Sequence, residues 1–276
     1  MTHGVLYFIT GTRHWPVLTV SLMTLREHWS GPVAIMLGDD RAVEIFNRLN
    51  SDGTMGHLIP IRFKGGGYRR NNGYMDKTKM IELSPFESTV FLDADTAVVK
   101  TIDPLFVTPF GRVRLTKYSD WVTTGTRIKK RIEGWRAVAP ELVEAQLQKP
   151  YPAINTGVLS FGSGERSKEF SADWQKTAEL KGGAFMADEL AAQLIWLKHG
   201  AEVVDDRWNC SPIYGENTEG VHVWHFHGRK HLKGRAEGIW WPLYERAVKD
   251  NVGGIRDWTP AGDMRLDQYL KQTGRK

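Results

Sequence analysis

Short apolar runs and helical-period segments alternate along the first third of the chain. Residues 5–10 (VLYFIT) form a short apolar run that ends in Thr10 and leads into Gly11-Thr12, the pattern of a strand buried on both faces and closed by a tight turn. Val17, Val20, Leu22, Met23, Leu25 and Trp29 then fall close to helical spacing, with Pro16 acceptable in the first turn. Residues 32–37 (PVAIML) read as a second strand closed by Gly38-Asp39-Asp40. Residues 41–50 read as a helix with Val43, Phe46 and Leu49 on one face, and residues 57–63 as a third strand. This β-α-β-α-β opening predicts an α/β fold, a mostly parallel central sheet flanked by helices, with ligands beyond the carboxyl ends of its strands.

Gly65-Gly66-Gly67 interrupts the pattern. The polar stretch 68–74 (YRRNNGY) carries neither the dinucleotide fingerprint nor a lysine-containing phosphate loop. Residues 76–83 (DKTKMIEL) predict a helix ending before Pro85, because the residue ahead of proline disfavours helical geometry. Residues 88–100 (STVFLDADTAVVK) follow, a buried strand that runs into Asp93-Ala94-Asp95. Between 110 and 150 the chain shows aromatics, a basic cluster and one helix candidate at 140–148, without a clear repeat or linker. Residues 153–161 (AINTGVLSF) predict another buried strand with Asn155 and Thr156 near its start. Helices are predicted over 168–180 and over 190–199, the latter introduced by Ala187-Asp188-Glu189. A late strand, 221–226 (VHVWHF), runs into His227-Gly228-Arg229-Lys230-His231. Trp240-Trp241-Pro242-Leu243-Tyr244 reads as packing material or a lid.

Composition narrows the class. The chain of 276 residues, 41% hydrophobic and 25% charged, has the make-up of a soluble globular protein with a substantial core. No apolar run approaches the length that crosses a bilayer, and the N-terminus lacks a basic segment followed by an apolar one, so a cytoplasmic protein is expected. The single cysteine, Cys210, excludes an internal disulfide framework and is expected to be a small buried residue. The net charge of +5 is unevenly spread, with clusters at 127–131 (RIKKR) and 229–235; such clusters attract polyanions but are more commonly solvated faces. Eleven tryptophans are available to stack on flat, partly apolar ligands.

The chemistry concentrates at Asp93 and Asp95. Two carboxylates at i and i+2 on extended backbone point the same way, and a divalent cation with a preference for oxygen, Mg or Mn, relieves their repulsion. A solvated strand exit is the plainer alternative. Lys77 and Lys79 lie one element upstream, within reach of an anion held by such a metal. His225, His227 and His231 are candidates for the metal or for phosphate. Asp188 and Glu189 suit a first helical turn on dipole grounds alone.

Taken in order, VLYFITGT, MDKTKMIEL, FLDADT, INTGVLSF, MADELAAQ and VWHFHGRK resemble the glycogenin-like glycosyltransferases, family 8 and its neighbours with the GT-A fold. The resemblance spans residues 5–230. It implies a single GT-A domain that transfers sugar with retention of anomeric configuration. In it Asp93 and Asp95 hold Mn (or Mg) through the DXD motif, with Ala94 between them, and His225 completes the protein ligands. The metal bridges the diphosphate of a nucleotide-sugar, a UDP-sugar by expectation. Thr10, Gly11 and Thr12 then lie against base and ribose. Lys77 or Lys79, with Gly228 and Lys230, face the diphosphate. Asn155, Thr156, Asp188 and Glu189 line the sugar pocket, where Asp188, Glu189 or Asn155 meets the oxocarbenium-like sugar. Two departures stand out. The family's lysine-proline-tryptophan beyond the histidine is replaced by HFHGRKHLK, and its Asp-Gln pair reads Asp188-Glu189.

The expected division places a catalytic domain at 1–235, with an acceptor-side insertion around 110–150, and a C-terminal helical extension at 236–276. A polyanionic acceptor, modified DNA or a lipopolysaccharide core, would use the basic segment 127–131. Two competing readings are a nucleotidyltransferase, which also uses an acidic pair at a sheet edge, and a non-catalytic nucleic-acid or carbohydrate-binding protein, which leaves the acidic pair unexplained.

Overall fold

The computed structural model describes residues 2–11, 14–51, 53–64, 72–108, 110–118, 126–148, 151–181, 184, 186–213, 219–227 and 234–257. In chain order the elements are β1 (His3–Ile9), α1 (Trp15–Arg26), β2 (Val33–Leu37), α2 (Asp40–Ser51), β3 (Leu58–Arg62), α3 (Asn72–Lys77), α4 (Met80–Leu83), β4 (Ser88–Leu92) and β5 (Thr96–Val98). Then come β6 (Arg114–Lys117), α5 (Thr126–Glu133), α6 (Pro140–Leu147), β7 (Ile154–Gly162), α7 (Glu165–Glu179), α8 (Ala187–Ile195), β8 (Glu202–Val204), β9 (Val223–His225) and α9 (Gly234–Lys249).

Seven strands form one sheet in the order β3-β2-β1-β4-β7-β6-β8. Its β3-β2-β1-β4 half is parallel throughout; β7 runs antiparallel to both β4 and β6, and β8 runs parallel to β6. Helices cover both faces, which explains the uninterrupted apolar runs. Val5, Tyr7 and Ile9 of β1 and Val90 and Leu92 of β4 enter one core with α1, α2 and α9. Leu6 and Phe91 enter a second core with α7 and α8. A strand with cores on both sides has no face to give to charge.

Three features depart from the sequence pattern. The helix expected over 76–83 is two pieces, α3 and α4, separated at Thr78 and Lys79. The Thr78 hydroxyl donates to the Met75 carbonyl at 2.7 Å, one of the local bonds with which Ser and Thr compete against a continuing helix. The late strand is shorter than predicted and does not join the main sheet. β9 pairs antiparallel with β5 in a separate ribbon, Thr96 opposite His225. The segment 110–150 supplies the sheet strand β6, which no apolar run announced. Trp240 and Trp241 on α9 are buried in the first core beside α1, as packing material. Among the described residues no helix is long and apolar enough to cross a membrane.

Candidate functional site

The site begins where β4 ends. Leu92 is the last buried strand residue, and the Asp93 N–H donates to the Gly157 carbonyl of β7 at 2.7 Å, which holds the chain at the sheet edge as it turns. The Thr96 hydroxyl closes that turn by donating to the Asp93 carbonyl at 2.8 Å. The β5–β9 ribbon then brings a residue from far along the chain to the same place: the Phe226 N–H donates to the Asp95 carbonyl at 2.9 Å. The His225 Nε2 lies 3.3 Å from Asp95 Oδ1 and 3.7 Å from Asp93 Oδ2. One ligating atom from each of Asp93, Asp95 and His225 lies within 4.8 Å of the other two.

This donor set suits a divalent ion. Two carboxylate oxygens and an imidazole nitrogen form a mixed oxygen and nitrogen set of the kind a divalent transition ion accepts. Gly157 makes the cradle: a Cβ there would stand 2.2 Å from His225 Cε1, so the ring takes its place only because position 157 has no side chain. Ala94, between the two ligands, is buried in the first core, where a larger side chain would lift the turn.

Lys77 distinguishes itself from Lys79. Its buried ammonium lies 2.8 and 2.9 Å from the two Asp93 oxygens and 3.6 Å from Asp188 Oδ2. Burial pulls the Lys77 pKa down, but Asp93, Asp188 and Asp95 together outweigh it and hold it above the usual lysine value. Burial also lifts the Asp93 carboxyl above its ordinary value, against Lys77 and His225. The Lys79 ammonium instead pairs with Asp76 at 3.1 Å and lies over the Phe63 ring, away from the acidic pair.

Asp188 and Glu189 open α8, preceded by Met186 in the left-handed region at φ 58°, a strained conformation for a residue with a Cβ. The Thr156 hydroxyl donates to Asp188 Oδ2 at 2.8 Å, and the Trp174 indole N–H holds the Asp188 carbonyl at 2.7 Å. Asp188 Oδ1 is buried and has no hydrogen-bond partner among the described residues. Glu189 is engaged at both oxygens: Arg131 Nη2 reaches Oε1 at 2.7 Å, while the Tyr118 hydroxyl and Asn155 Nδ2 reach Oε2 at 2.9 and 3.1 Å. Burial raises the Glu189 pKa, and Arg131 works against that rise. Arg131 is therefore no part of a solvated basic face; it enters the site from α5, while Lys129 and Lys130 stay exposed and the Arg127 side chain lies outside the described residues. Lys77 and Arg131 thus face four carboxyl groups, Asp93, Asp95, Asp188 and Glu189; burial pulls the His225 pKa down, but Asp95 and Asp93 outweigh it and hold it above the usual histidine value.

At the end of β1, Thr10 Oγ1 and the Gly11 N–H both donate to Asp39 Oδ2 at 2.8 Å, and Asp39 Oδ1 accepts from the Ala42 N–H that starts α2. Gly11 has φ 66°, the left-handed region that glycine enters without cost. Thr12, Gly228, Lys230 and His231 lie outside the described residues. The His227 ring lies tilted against His225, centroids 4.1 Å apart, and stacks on Tyr118. Cys210 is buried in the first core, and burial pushes its thiol up to about 12. Asn209 Oδ1 lies 2.8 Å from His225 Nδ1. The sequence read Arg131 as part of a basic face and did not single out Tyr118, Asp39 or Asn209. Asp39 carried a signal, since it follows the second strand as Asp93 follows the fourth; Tyr118 and Asn209 carried none.

No protein-family profile and no curated protein matches the sequence. Solved structures do share the fold. The apo form of mouse xyloside xylosyltransferase 1 superposes with a TM-score of 0.56 at 12% identity, covering 83% of this chain and 99% of that one. The galactosyltransferase LgtC in complex with donor and acceptor sugar analogs superposes with a TM-score of 0.57 at 14% identity, covering 99% and 100%. A glutamine-to-glutamate active-site mutant of LgtC gives 0.58 at 16%, covering 88% and 95%. The apo-form glycosyltransferase GlyE of Streptococcus pneumoniae TIGR4 gives 0.60 at 13%, covering 91% of this chain and 64% of that one. The chain thus has the α/β fold of GT-A glycosyltransferases.

Proposed function

We propose that the protein is a metal-dependent, retaining glycosyltransferase that takes a sugar from a nucleotide diphosphate donor, in the first instance a UDP-sugar. One observation carries this reading: Asp93, Asp95 and His225 converge at the carboxyl end of a central strand with the buried Lys77 ammonium beside them. A metal and a cation side by side are what a departing nucleoside diphosphate requires, because its developing charge must be neutralised as the glycosidic bond breaks.

Asp93, Asp95 and His225 would hold Mn, or Mg, which supplies Lewis-acid stabilisation of the diphosphate when bound. Lys77 adds a point charge on the same side and, being 3.6 Å from Asp188, connects the phosphate end of the site to its sugar end. Thr10 and Gly11, with Thr12, receive base and ribose, their turn held by Asp39. Gly228 and Lys230, which follow the metal-binding strand, complete the diphosphate side on the strength of the sequence resemblance alone.

Asp188 is the carboxylate that faces the sugar. Its Oδ2 is tethered by Thr156, and its buried Oδ1 is left for a donor hydroxyl or for the positive charge that grows on the anomeric carbon. Glu189 is committed to Arg131, Tyr118 and Asn155, so it positions the pocket rather than attacking. The LgtC structure holding donor and acceptor sugar analogs supports this reading by its shared fold. Exposed Lys129 and Lys130, on the helix that sends Arg131 into the site, support an acceptor that bears negative charge.

The test is donor hydrolysis without acceptor. Purified protein is expected to release UDP slowly from one member of a UDP-sugar panel in the presence of Mn, and Asp95→Ala is expected to abolish that release. A protein that neither binds nor hydrolyses any nucleotide-sugar with Mn present would sink the proposal.

A further inference from the structure

Two buried side chains, Asn209 and Asn155, link His225 to the acidic start of α8, with buried Thr116 beside them, and their donors and acceptors can be assigned in sequence. The Gly157 N–H points at Asn155 Oδ1 at 2.7 Å. The other end of that amide, Nδ2, meets the Glu189 carboxylate at 3.1 Å. Turning Asn155 over would set N–H against N–H and oxygen against carboxylate, so its orientation is determined.

Asn209 comes next. It lies 2.8 Å from Asn155 Oδ1 and 2.6 Å from Thr116 Oγ1. The one Thr116 hydroxyl proton is directed at backbone carbonyls, Val158 at 2.8 Å and Asn155 at 3.1 Å, which leaves its oxygen as an acceptor towards Asn209. Both neighbours therefore want a donor, and Asn209 presents its NH2 to them. Its Oδ1 is thereby turned on His225 Nδ1 at 2.8 Å. An amide oxygen brings no proton, so the proton of that bond belongs to the imidazole. Whenever the ring is neutral, Nε2, the nitrogen facing Asp93 and Asp95, is then the lone-pair nitrogen, the form that ligates a metal.

We propose that Asn209 is a positioning residue that locks His225 in the Nδ1–H tautomer, presenting Nε2 to the Asp93–Asp95 carboxylates, and that the Gly157–Asn155–Glu189 chain sets the direction of the lock. The proposal rests on the metal-dependent reading above. It also gives a reason for glutamate at position 189. A glutamine there could donate as well as accept and would leave the orientation of Asn155 to Gly157 alone, whereas an ionised glutamate only accepts. Loss of a partner of this kind, which orients a ligating histidine from behind, typically costs about 10- to 100-fold in metal affinity.

The tautomer is measured directly. Imidazole nitrogen NMR of metal-free protein labelled with 15N at histidine, under alkaline conditions where the ring is neutral, is assigned by comparison with His225→Gln. His225 is expected to show a protonated Nδ1 and an unprotonated Nε2; the reverse assignment in the unmutated protein overturns the proposal without any variant having to fold. Mn titration followed by electron paramagnetic resonance supplies the second arm. Asn209→Ala is expected to mix the tautomers and weaken Mn binding about 10- to 100-fold. Asn209→Asp, which keeps an acceptor towards Nδ1–H, is expected to retain the tautomer. Asn209→Ala with an unchanged tautomer and unchanged Mn affinity also overturns the proposal. If the unmutated protein binds no Mn, the metal-dependent reading falls, and the role of Asn209 is decided by the tautomer alone.

Discussion

Lys77 shows how little a residue type says about its work until its surroundings are known. Lys77 and Lys79 are two apart in one short segment, and sequence offered both as partners of the diphosphate. The break between α3 and α4 separates them: Lys77 turns inward to Asp93 and Asp188, and Lys79 turns outward to Asp76. Removing the inward cation while keeping its apolar stem is the informative change. Lys77→Met is expected to lower kcat for donor hydrolysis by about 10²- to 10³-fold, the usual effect of deleting one preorganised charge-stabilising donor. Lys79→Met is expected to leave it near the unmutated rate. Equal rates for Lys77→Met and the unmutated enzyme in a steady-state assay would remove Lys77 from the mechanism.

Among elements, the contact that most changes the sequence reading is α5 against the start of α8. The run Arg127-Ile128-Lys129-Lys130-Arg131 looks like a basic face, yet Ile128 and Ile132 are buried in the second core and Arg131 is drawn in behind them to Glu189. A buried pair of this kind is costly to half-remove. Arg131→Met leaves the Glu189 charge without its counter-charge and is expected to destabilise the fold by about 3–5 kcal/mol in a urea melt. Adding Glu189→Gln to it removes the orphaned charge and is expected to restore much of that loss. A double variant no more stable than Arg131→Met would mean that the pair is not coupled. Both partners lie in segments whose sequence signals are real but local: a basic cluster on one side, and an acidic first turn favoured by the helix dipole on the other. Neither signal contains the other.

For the molecule as a whole, the decisive fact is that the three groups able to hold a metal come from distant parts of the chain. Asp93 and Asp95 leave β4, and His225 arrives on β9 after β6, β7 and β8 have been laid down beyond them. The unfolded chain gathers no such site, so a Mn ion held as proposed would bind the native state selectively. Mn is expected to raise unfolding free energy by about 2.7 kcal/mol at free concentrations 100-fold above its dissociation constant. Thermal unfolding should rise with Mn in the unmutated protein and not in Asp95→Ala; an equal rise in both would place the ion elsewhere. The same distance separates what could be read in one dimension from what could not. The buried strands, the flanking helices and the acidic pair at a strand end were legible, because strand and helix periodicity are local consequences of which residues face a core, and a charge directly after a doubly buried strand marks its exit. The separate ribbon of β5 and β9, the inward turn of Arg131 and the placing of Lys77 rather than Lys79 beside Asp93 were decided only by tertiary structure. So were the contacts of Tyr118 and Asn209 with the acidic and histidine ends of the site. Each of these is a pairing between segments, settled by which buried donors and acceptors meet once the sheet has closed, and no period or motif along the chain encodes that meeting.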